Sequence, residues 1–161
     1  MTEDQRWAAA VHEAGHAVVA HALGRVTTSV QIDDSGGGFT IRDAEHSLPL
    51  VAEKILPIVP DNVTILFGGQ IAEMQVFGRV ISRNIKTDNF QIEELLAFIL
   101  DDRDRLHVRE NCREWAAHIL RHQQDGLDRL ARLLCKRGSM AQDEILEILR
   151  TSWSGVGYLV G

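Results

Sequence analysis

Three side chains near the start of the chain have the types and the spacing of a zinc-dependent hydrolytic site. His12, Glu13 and His16 form the pattern H-E-x-x-H within the segment VHEAGHAVV. In a helix, residues four apart are separated by only about 40° around the axis, so both imidazoles can reach one tetrahedral Zn²⁺. Zinc lowers the pKa of a bound water towards about 7, and a carboxylate beside it can accept the proton of that water. The pattern therefore predicts metallopeptidase chemistry, with Glu13 as the general base.

A surface helix that happens to carry two histidines and a glutamate is the simpler alternative. The neighbouring residues argue against it, because 8–11 and 17–20 are apolar and mostly small, as in a buried helix. Histidines on such a helix need partners, which a metal ion would supply. His21 lies five residues beyond His16, about 140° around the helix, so it cannot share the same ion.

The composition is that of one folded unit and argues against several kinds of partner. The chain has 161 residues, of which 45% are hydrophobic, and we interpret residues 1–161 as a single domain. The formal net charge is −6 and the basic residues are dispersed, which argues against nucleic acid. We expect no direct membrane insertion, because no stretch has the length of a span, and no signal peptide. Cys112 and Cys135 lack C-x-x-C spacing and favour reduced thiols in the cytoplasm.

The spacing of the apolar residues predicts a mainly α-helical fold with one small β-hairpin. The first helix should begin with a capping box of Thr2 and Gln5, run over 3–23 and end at Gly24. The hairpin should pair 26–32 with 39–42 across a glycine-rich turn. A short helix within 48–58 and helices over 61–77, 88–102, 106–123, 127–137 and 143–152 complete the prediction.

Two further carboxylates are candidates for the site. Gly68 and Gly69, inside the predicted helix over 61–77, cost about 1 kcal/mol each relative to Ala, which favours close packing there against the first helix. Glu73 on the same helix is a candidate third ligand, or a carboxylate that orients a ligand histidine. On its sequence position alone, Asp88 is better explained as the N-cap of the helix that follows.

The strand after the glycine turn is a candidate substrate-binding edge. In zinc peptidases an exposed strand beside the metal often aligns the substrate as an added strand, and glycines let another backbone come close. Gly37, Gly38 and Phe39 are the residues that this interpretation selects. A flexible hairpin turn that binds nothing explains the same glycines equally well.

Four segments, in order, resemble the peptidase domain of the FtsH-type AAA proteases. They are VHEAGHAVVAHALG, the strand ending in GGGFT, ILFGGQIAEMQVFG and KTDNFQIEELLAFIL, and they cover about residues 8–100. The resemblance implies a helical, zincin-type metallopeptidase domain. It implies that His12, His16 and Asp88 bind zinc and that Glu13 is the general base. It leaves Glu73 beside the ligands rather than among them.

The chain also departs from that family. Gln70 stands where the family usually has Arg, and Met74 where it has a second acidic residue. No G-x-x-x-x-G-K-[ST] phosphate loop is present. We therefore expect an ATP-independent zinc endopeptidase that acts on unfolded polypeptides or peptides, and a separate ATPase, an adaptor or a homo-oligomer would be compatible with it. The alternative is a zinc-binding interaction module, derived from such a peptidase, that has lost turnover.

Overall fold

The computed structural model describes residues 2–42 and 52–153, and the fold is mainly helical with a small antiparallel sheet. This confirms the expected fold class at that level. The elements in order are α1 (Glu3–Ala22), β1 (Thr27–Ile32), β2 (Gly38–Arg42), α2 (Ala52–Ile55) with a 3₁₀ turn (Leu56–Ile58), α3 (Val59–Phe77), α4 (Ile85–Leu96), α5 (Asp102–His122), α6 (Gln124–Arg137), β3 (Ser139–Ala141) and α7 (Gln142–Thr151).

Helix α1 lies at the centre of the core. It begins with the predicted capping box, in which the Thr2 hydroxyl accepts the Gln5 N–H at 3.2 Å and the Gln5 side chain accepts the Thr2 N–H at 3.0 Å. Every residue over 8–20 is buried, with α3, α6 and the sheet packed around the helix. The chain leaves α1 at Gly24, which has a φ of 73°, as predicted for its end.

Helices α1 and α3 cross in direct backbone contact at two glycines. A Cβ on Gly15 would lie 2.4 Å from the Gly68 carbonyl oxygen, and a Cβ on Gly68 would lie 2.7 Å from the Gly15 carbonyl oxygen. Only glycine permits so close an approach. The predicted packing of the Gly68-Gly69 segment on the first helix is confirmed, and it brings the side chains of α3 within reach of the α1 histidines.

The sheet has the strand order β2-β1-β3. Val30 of β1 lies opposite Thr40 of β2 on one side and opposite Met140 of β3 on the other. The hairpin was predicted, whereas β3 was not, because three residues are too few for an alternating pattern. Within the described residues no strand pairs with the outer edge of β2, where the Gly38 carbonyl accepts the Asn84 side-chain amide at 2.8 Å.

Helices α3 to α7 each begin one to four residues earlier than predicted, and α4 ends at Leu96 rather than at 102. Helix α3 begins at Val59, so Asp61 lies in its first turn and is not its N-cap. Helix α4 begins at Ile85, and Asp88 already donates its backbone N–H to the Asn84 carbonyl at 3.0 Å. The interpretation of Asp88 as an N-cap is therefore wrong, because the helix starts three residues earlier. The part of the predicted 48–58 helix before residue 52 lies outside the described residues.

One helical segment passes a length and composition test for a membrane span. The segment Glu53–Phe77 reaches a mean hydropathy of 1.3 over 18 residues, so the expectation that no stretch is long enough was wrong. However, 61% of that window is buried inside the protein. A core helix of a soluble protein has the same properties, and the absence of membrane insertion stays a prediction.

Candidate metal centre

Helices α1 and α4 bring three ligand-type side chains together. His12 and His16 project from one face of α1, and Asp88 projects from the first turn of α4. Asp88 Oδ2 lies 2.7 Å from His12 Nε2 and 3.3 Å from His16 Nε2. All three residues are buried, and their ligand atoms lie within 4.8 Å of one another. This cluster, called the HHD cluster below, could bind a metal ion.

The hydrogen bonds around the HHD cluster fit such an ion. His12 Nδ1 lies 2.6 Å from Glu73 Oε1, and His16 Nδ1 donates to the Ile65 carbonyl at 2.8 Å. Each imidazole is thus anchored through Nδ1 and presents Nε2, the arrangement common for metal-binding histidines. In a tetrahedral zinc site with bonds of about 2.0–2.1 Å, donor atoms lie about 3.4 Å apart. The cluster therefore needs only small shifts to form one.

Glu73 orients His12 and does not lie with the other ligand atoms. Its Oε2 accepts the backbone N–H groups of Ile81 and of Ser82, the latter at 2.8 Å. The Ser82 hydroxyl lies 2.9 Å from His12 Nδ1. The carboxylate is therefore on the Nδ1 side of the ring, away from the nitrogen that faces Asp88. Of the two roles that the sequence left open for Glu73, this geometry matches the orienting one.

Two buried carboxylates flank His12, and each of them shifts the pKa of His12 and is shifted by it. Burial lowers the pKa of His12, but its hydrogen bonds with Asp88 and Glu73 outweigh burial and raise that pKa to about 9. Burial raises the pKa of Asp88, yet the hydrogen bonds from His12 and His16 hold it well below its usual range. Burial raises the pKa of Glu73, but its hydrogen bonds with His12 and Ser82 outweigh burial and lower that pKa. Both carboxylates thus favour a positive charge on His12, and a metal ion bound at Nε2 would replace the proton there.

Glu13 lies beside the HHD cluster at the floor of a cleft of about 210 Å³. The residue is only 2% exposed. Its Oε2 accepts the Thr40 hydroxyl at 2.8 Å, and its Oε1 accepts the Asn84 side-chain amide at 2.7 Å. His16 and Asp88 line the same cleft, so a molecule that enters it meets the carboxylate and the cluster together.

The three residues predicted to bind substrate fall in two places. Gly38 and Phe39 line the cleft, and the Phe39 residue is 47% exposed. Gly37 lies in the turn, where its N–H donates to the Asp33 carboxylate at 3.1 Å and its carbonyl accepts the Asp33 N–H at 2.9 Å. Gly38 and Phe39 are therefore in position to meet a substrate, whereas Gly37 supports the turn.

Several residues that hold the site were not predicted from the sequence. Ile65 contributes only a backbone carbonyl, which no side-chain pattern can mark. The alternation of Phe39, Thr40 and Ile41 would place the threonine on the solvent face, whereas in the structure Phe39 and Ile41 are exposed and Thr40 faces inward. That reversal of the usual alternation marks a strand face that meets something polar. The residues missed were Thr40, Ile65, Ser82 and Asn84.

Comparison with protein-family models and with curated protein sequences found no match. The resemblance to the FtsH-type proteases is thus limited to the motif residues.

Proposed function

We propose that this protein is a zinc-dependent metalloendopeptidase. The observation that carries the proposal is the position of Glu13, whose buried carboxylate lies beside the HHD cluster at the floor of an accessible cleft. A metal site, a carboxylate base and room for a substrate are the parts that metal-assisted hydrolysis needs. Their presence at one point supports an enzyme rather than a purely structural helical protein.

The donor set favours zinc. Two imidazole nitrogens and one carboxylate oxygen, with a fourth position left open, are typical of catalytic zinc. His12 and His16 would hold the ion through Nε2, and Asp88 would hold it through Oδ2. When bound, zinc acts as a Lewis acid, which polarises the peptide carbonyl and makes a water molecule easier to deprotonate.

Glu13 carries the proton in the proposed reaction. Its carboxylate accepts a proton from the attacking water while the water oxygen bonds to the peptide carbonyl carbon. It then donates that proton to the amine nitrogen when the C–N bond breaks, so the base is regenerated. Because Glu13 is adjacent to His12 in the helix and not four residues away, its carboxylate lies beside the two imidazoles and not between them.

The orientation of the β2 backbone favours an extended peptide as the substrate. The Gly38 carbonyl points away from β1, towards Asn84. Backbone groups in a strand point to alternate sides, so Thr40, two residues on, presents its N–H and C=O at the same outer edge. An extended segment can pair there as an added strand beside Glu13. Unfolded polypeptides and flexible peptides offer such segments, and stable folded proteins do not.

The substitution Glu13→Gln tests the proposal. It keeps the size of the side chain but removes the proton acceptor, so we expect turnover on an unfolded substrate panel to fall by about 10²- to 10⁴-fold. Zinc content and thermal stability should stay unchanged, which separates a lost base from a lost site. The panel would contain denatured proteins and unstructured peptides, with folded versions of the same proteins as the matched comparison.

Two results would contradict the proposal. If the zinc-loaded protein cleaves nothing in the unfolded panel, the endopeptidase function is wrong, and the inactive zinc-binding interaction module takes its place. If Glu13→Gln cleaves the panel as fast as the natural chain, the role of Glu13 as the base is wrong. Efficient cleavage of stable folded proteins would contradict the substrate class alone.

A further inference from the structure

The side chain of Asn84 bonds to Glu13 and to strand β2 instead of capping the helix that follows it. Asn84 directly precedes α4, a position where asparagine commonly caps a helix, but its side chain makes no capping hydrogen bond. Its Nδ2 donates instead to Glu13 Oε1 at 2.7 Å and to the Gly38 carbonyl at 2.8 Å. Both partners only accept hydrogen bonds, so they fix which end of the amide faces them.

Thr40 approaches the same carboxylate at its other oxygen. The hydroxyl donates to Glu13 Oε2 at 2.8 Å, and the next acceptor, the Glu13 backbone carbonyl, is farther away at 3.3 Å. Strand β2 also limits the side chain sterically, since a Cβ on Gly38 would lie 2.7 Å from Glu13 Cγ. The carboxylate is therefore held by one donor on each oxygen and by the backbone of β2 beside its stem.

We propose that Asn84 is a positioning residue that, together with Thr40, fixes the Glu13 carboxylate relative to the outer edge of β2. The proposal rests on the proposed function, because it deepens the role of Glu13 as the base. One amide joins the base to the backbone of the strand on which the peptide would lie. A peptide paired along β2 then has its scissile bond at a set distance from the carboxylate.

The expected effect is on turnover and not on binding. A glutamate side chain has three rotatable torsions, and without its donors the carboxylate spends less time in the productive orientation. A misplacement of about 1 Å in a reacting group can cost about 100-fold in rate. Neither Asn84 nor Thr40 is part of the HHD cluster, so the metal should be retained when either side chain is changed.

The first experiment compares variants of Asn84. Asn84→Leu removes both N–H donors and keeps the branched shape of the side chain, although it is bulkier. Asn84→Ala removes them with no added bulk, in case the first variant does not fold. We expect kcat to fall by about 10- to 100-fold, KM to stay within about threefold, and zinc content to be unchanged. Asn89→Leu is the matched control, since Asn89 lies on the same helix but bonds to Gln70 instead. It should retain the natural kcat.

Thr40 provides a second, independent test. Thr40→Val removes the hydroxyl at nearly constant shape, whereas Thr40→Ser keeps it. We expect about a tenfold loss of kcat in the first and near-normal kcat in the second, since loss of a hydrogen bond to a charged group has about this effect. Near-normal kcat in Thr40→Val together with a loss in Thr40→Ser would show that the methyl group, and not the hydroxyl, matters, and would overturn the role of Thr40.

A double-mutant comparison tests whether Asn84 acts through Glu13. In the Glu13→Gln background, Asn84→Leu should cause no further loss, because there is no base left to position. The same fold-loss in both backgrounds would overturn the proposal, and so would a natural kcat in both Asn84 variants.

Crystal structures of the zinc-loaded natural protein and of the Asn84 variants would show the position of the Glu13 carboxylate, a measurement that does not depend on activity. We expect the Glu13 carboxylate to rotate away from its natural position in Asn84→Leu and Asn84→Ala. A carboxylate that stays in place in both overturns the positioning role. If the natural protein has no turnover, the proposed function fails, while these structures still decide whether Asn84 positions Glu13.

Discussion

The two consecutive residues His12 and Glu13 are held by different parts of the molecule. His12 is completely buried, and its contacts with Glu73, Ser82 and Asp88 are to residues that are themselves buried. Glu13 is held by the partly exposed residues Thr40, on an edge strand, and Asn84, in the connection before α4. The ligand side of the site, meaning the contacts that hold His12, thus belongs to the core, and the base side, meaning the contacts that hold Glu13, belongs to the cleft wall.

This difference predicts that substitutions on the ligand side and substitutions on the base side affect different properties of the protein. Substitutions on the ligand side disturb packed helices, so they should affect metal affinity and stability together. Substitutions on the base side touch a strand edge and a connection, so they should affect turnover with little effect on either. Four measurements can break or sharpen this contrast.

The largest expected effect is loss of the metal itself. His12→Ala and Asp88→Ala each leave two of the three ligand atoms, so we expect bound zinc to fall from one ion per chain to none by elemental analysis. His21→Ala is the matched control on the same helix and should keep its zinc. If Glu73→Ala loses zinc while Asp88→Ala keeps it, the third ligand has been assigned wrongly.

Glu73→Gln should weaken metal binding without abolishing it. Glu73 accepts hydrogen bonds on both carboxylate oxygens, and glutamine has only one acceptor oxygen, so either His12 or the backbone N–H groups lose their partner. We expect affinity to fall by about 10- to 100-fold in a chelator competition titration. Glu94→Gln, an exposed change on α4, is the control. Equal affinity in both variants would show that Glu73 does not orient His12.

Gly69→Ala should destabilise the ligand side by steric overlap. A Cβ at Gly69 would lie 2.5 Å from His12 Nε2 and within 2.7 Å of two neighbouring ring carbons. We expect a loss of about 1–3 kcal/mol in the free energy of unfolding, measured with denaturant. In Gly126→Ala the nearest atom is 3.4 Å away, so this control should be neutral or stabilising by up to about 1 kcal/mol. A stabilising Gly69→Ala would mean that the helices separate easily there.

The smallest expected effect is a pH dependence from His21, which lies on α1 but outside the HHD cluster. Its ring packs edge-on against Trp153 at 5.3 Å, and burial and then the charge of Arg150 lower its pKa. The unfolded chain therefore binds the proton more readily than the folded one. The stability due to neutral His21 is fully present above the unfolded pKa of about 6.5 and is lost as the pH falls below it.

The pH dependence of His21 can be isolated by difference. We expect the natural chain to lose more free energy of unfolding than His21→Gln when the pH is lowered from about 7.5 to 5, since glutamine does not titrate. Above about pH 7 the difference between the two proteins should be constant. A difference that does not change, or that reverses sign, across this range would contradict the lowered pKa.

Features that depend on neighbouring residues in the chain could be predicted from the sequence. The capping box at Thr2, the end of α1 at Gly24 and the common face of His12 and His16 all follow from local helix geometry. The hairpin followed from alternation and a glycine turn. The close crossing at Gly68 followed from the cost of glycine inside a helix, which close packing explains.

Features that depend on contacts between distant residues could not be predicted in this way. Asn84 and Thr40 are 71 and 27 residues away from the carboxylate that they hold. Residue types such as these are common in connections and strands for purely local reasons, so their types alone carry no signal of a site. Strand β3 was not predicted for the same reason, because its pairing with β1, and not its own sequence pattern, makes it a strand.

The sequence by itself determined that two histidines and a glutamate share one helix in the order H-E-x-x-H, but it left two carboxylates as candidates for the third ligand. Glu73 and Asp88 lie 61 and 76 residues from His12, each on its own helix. The tertiary structure places Glu73 at Nδ1 of His12 and Asp88 between the two Nε2 atoms. Which nitrogen each carboxylate meets depends on how α3 and α4 pack around α1, and helix packing is set by contacts across the whole core, which local spacing does not contain.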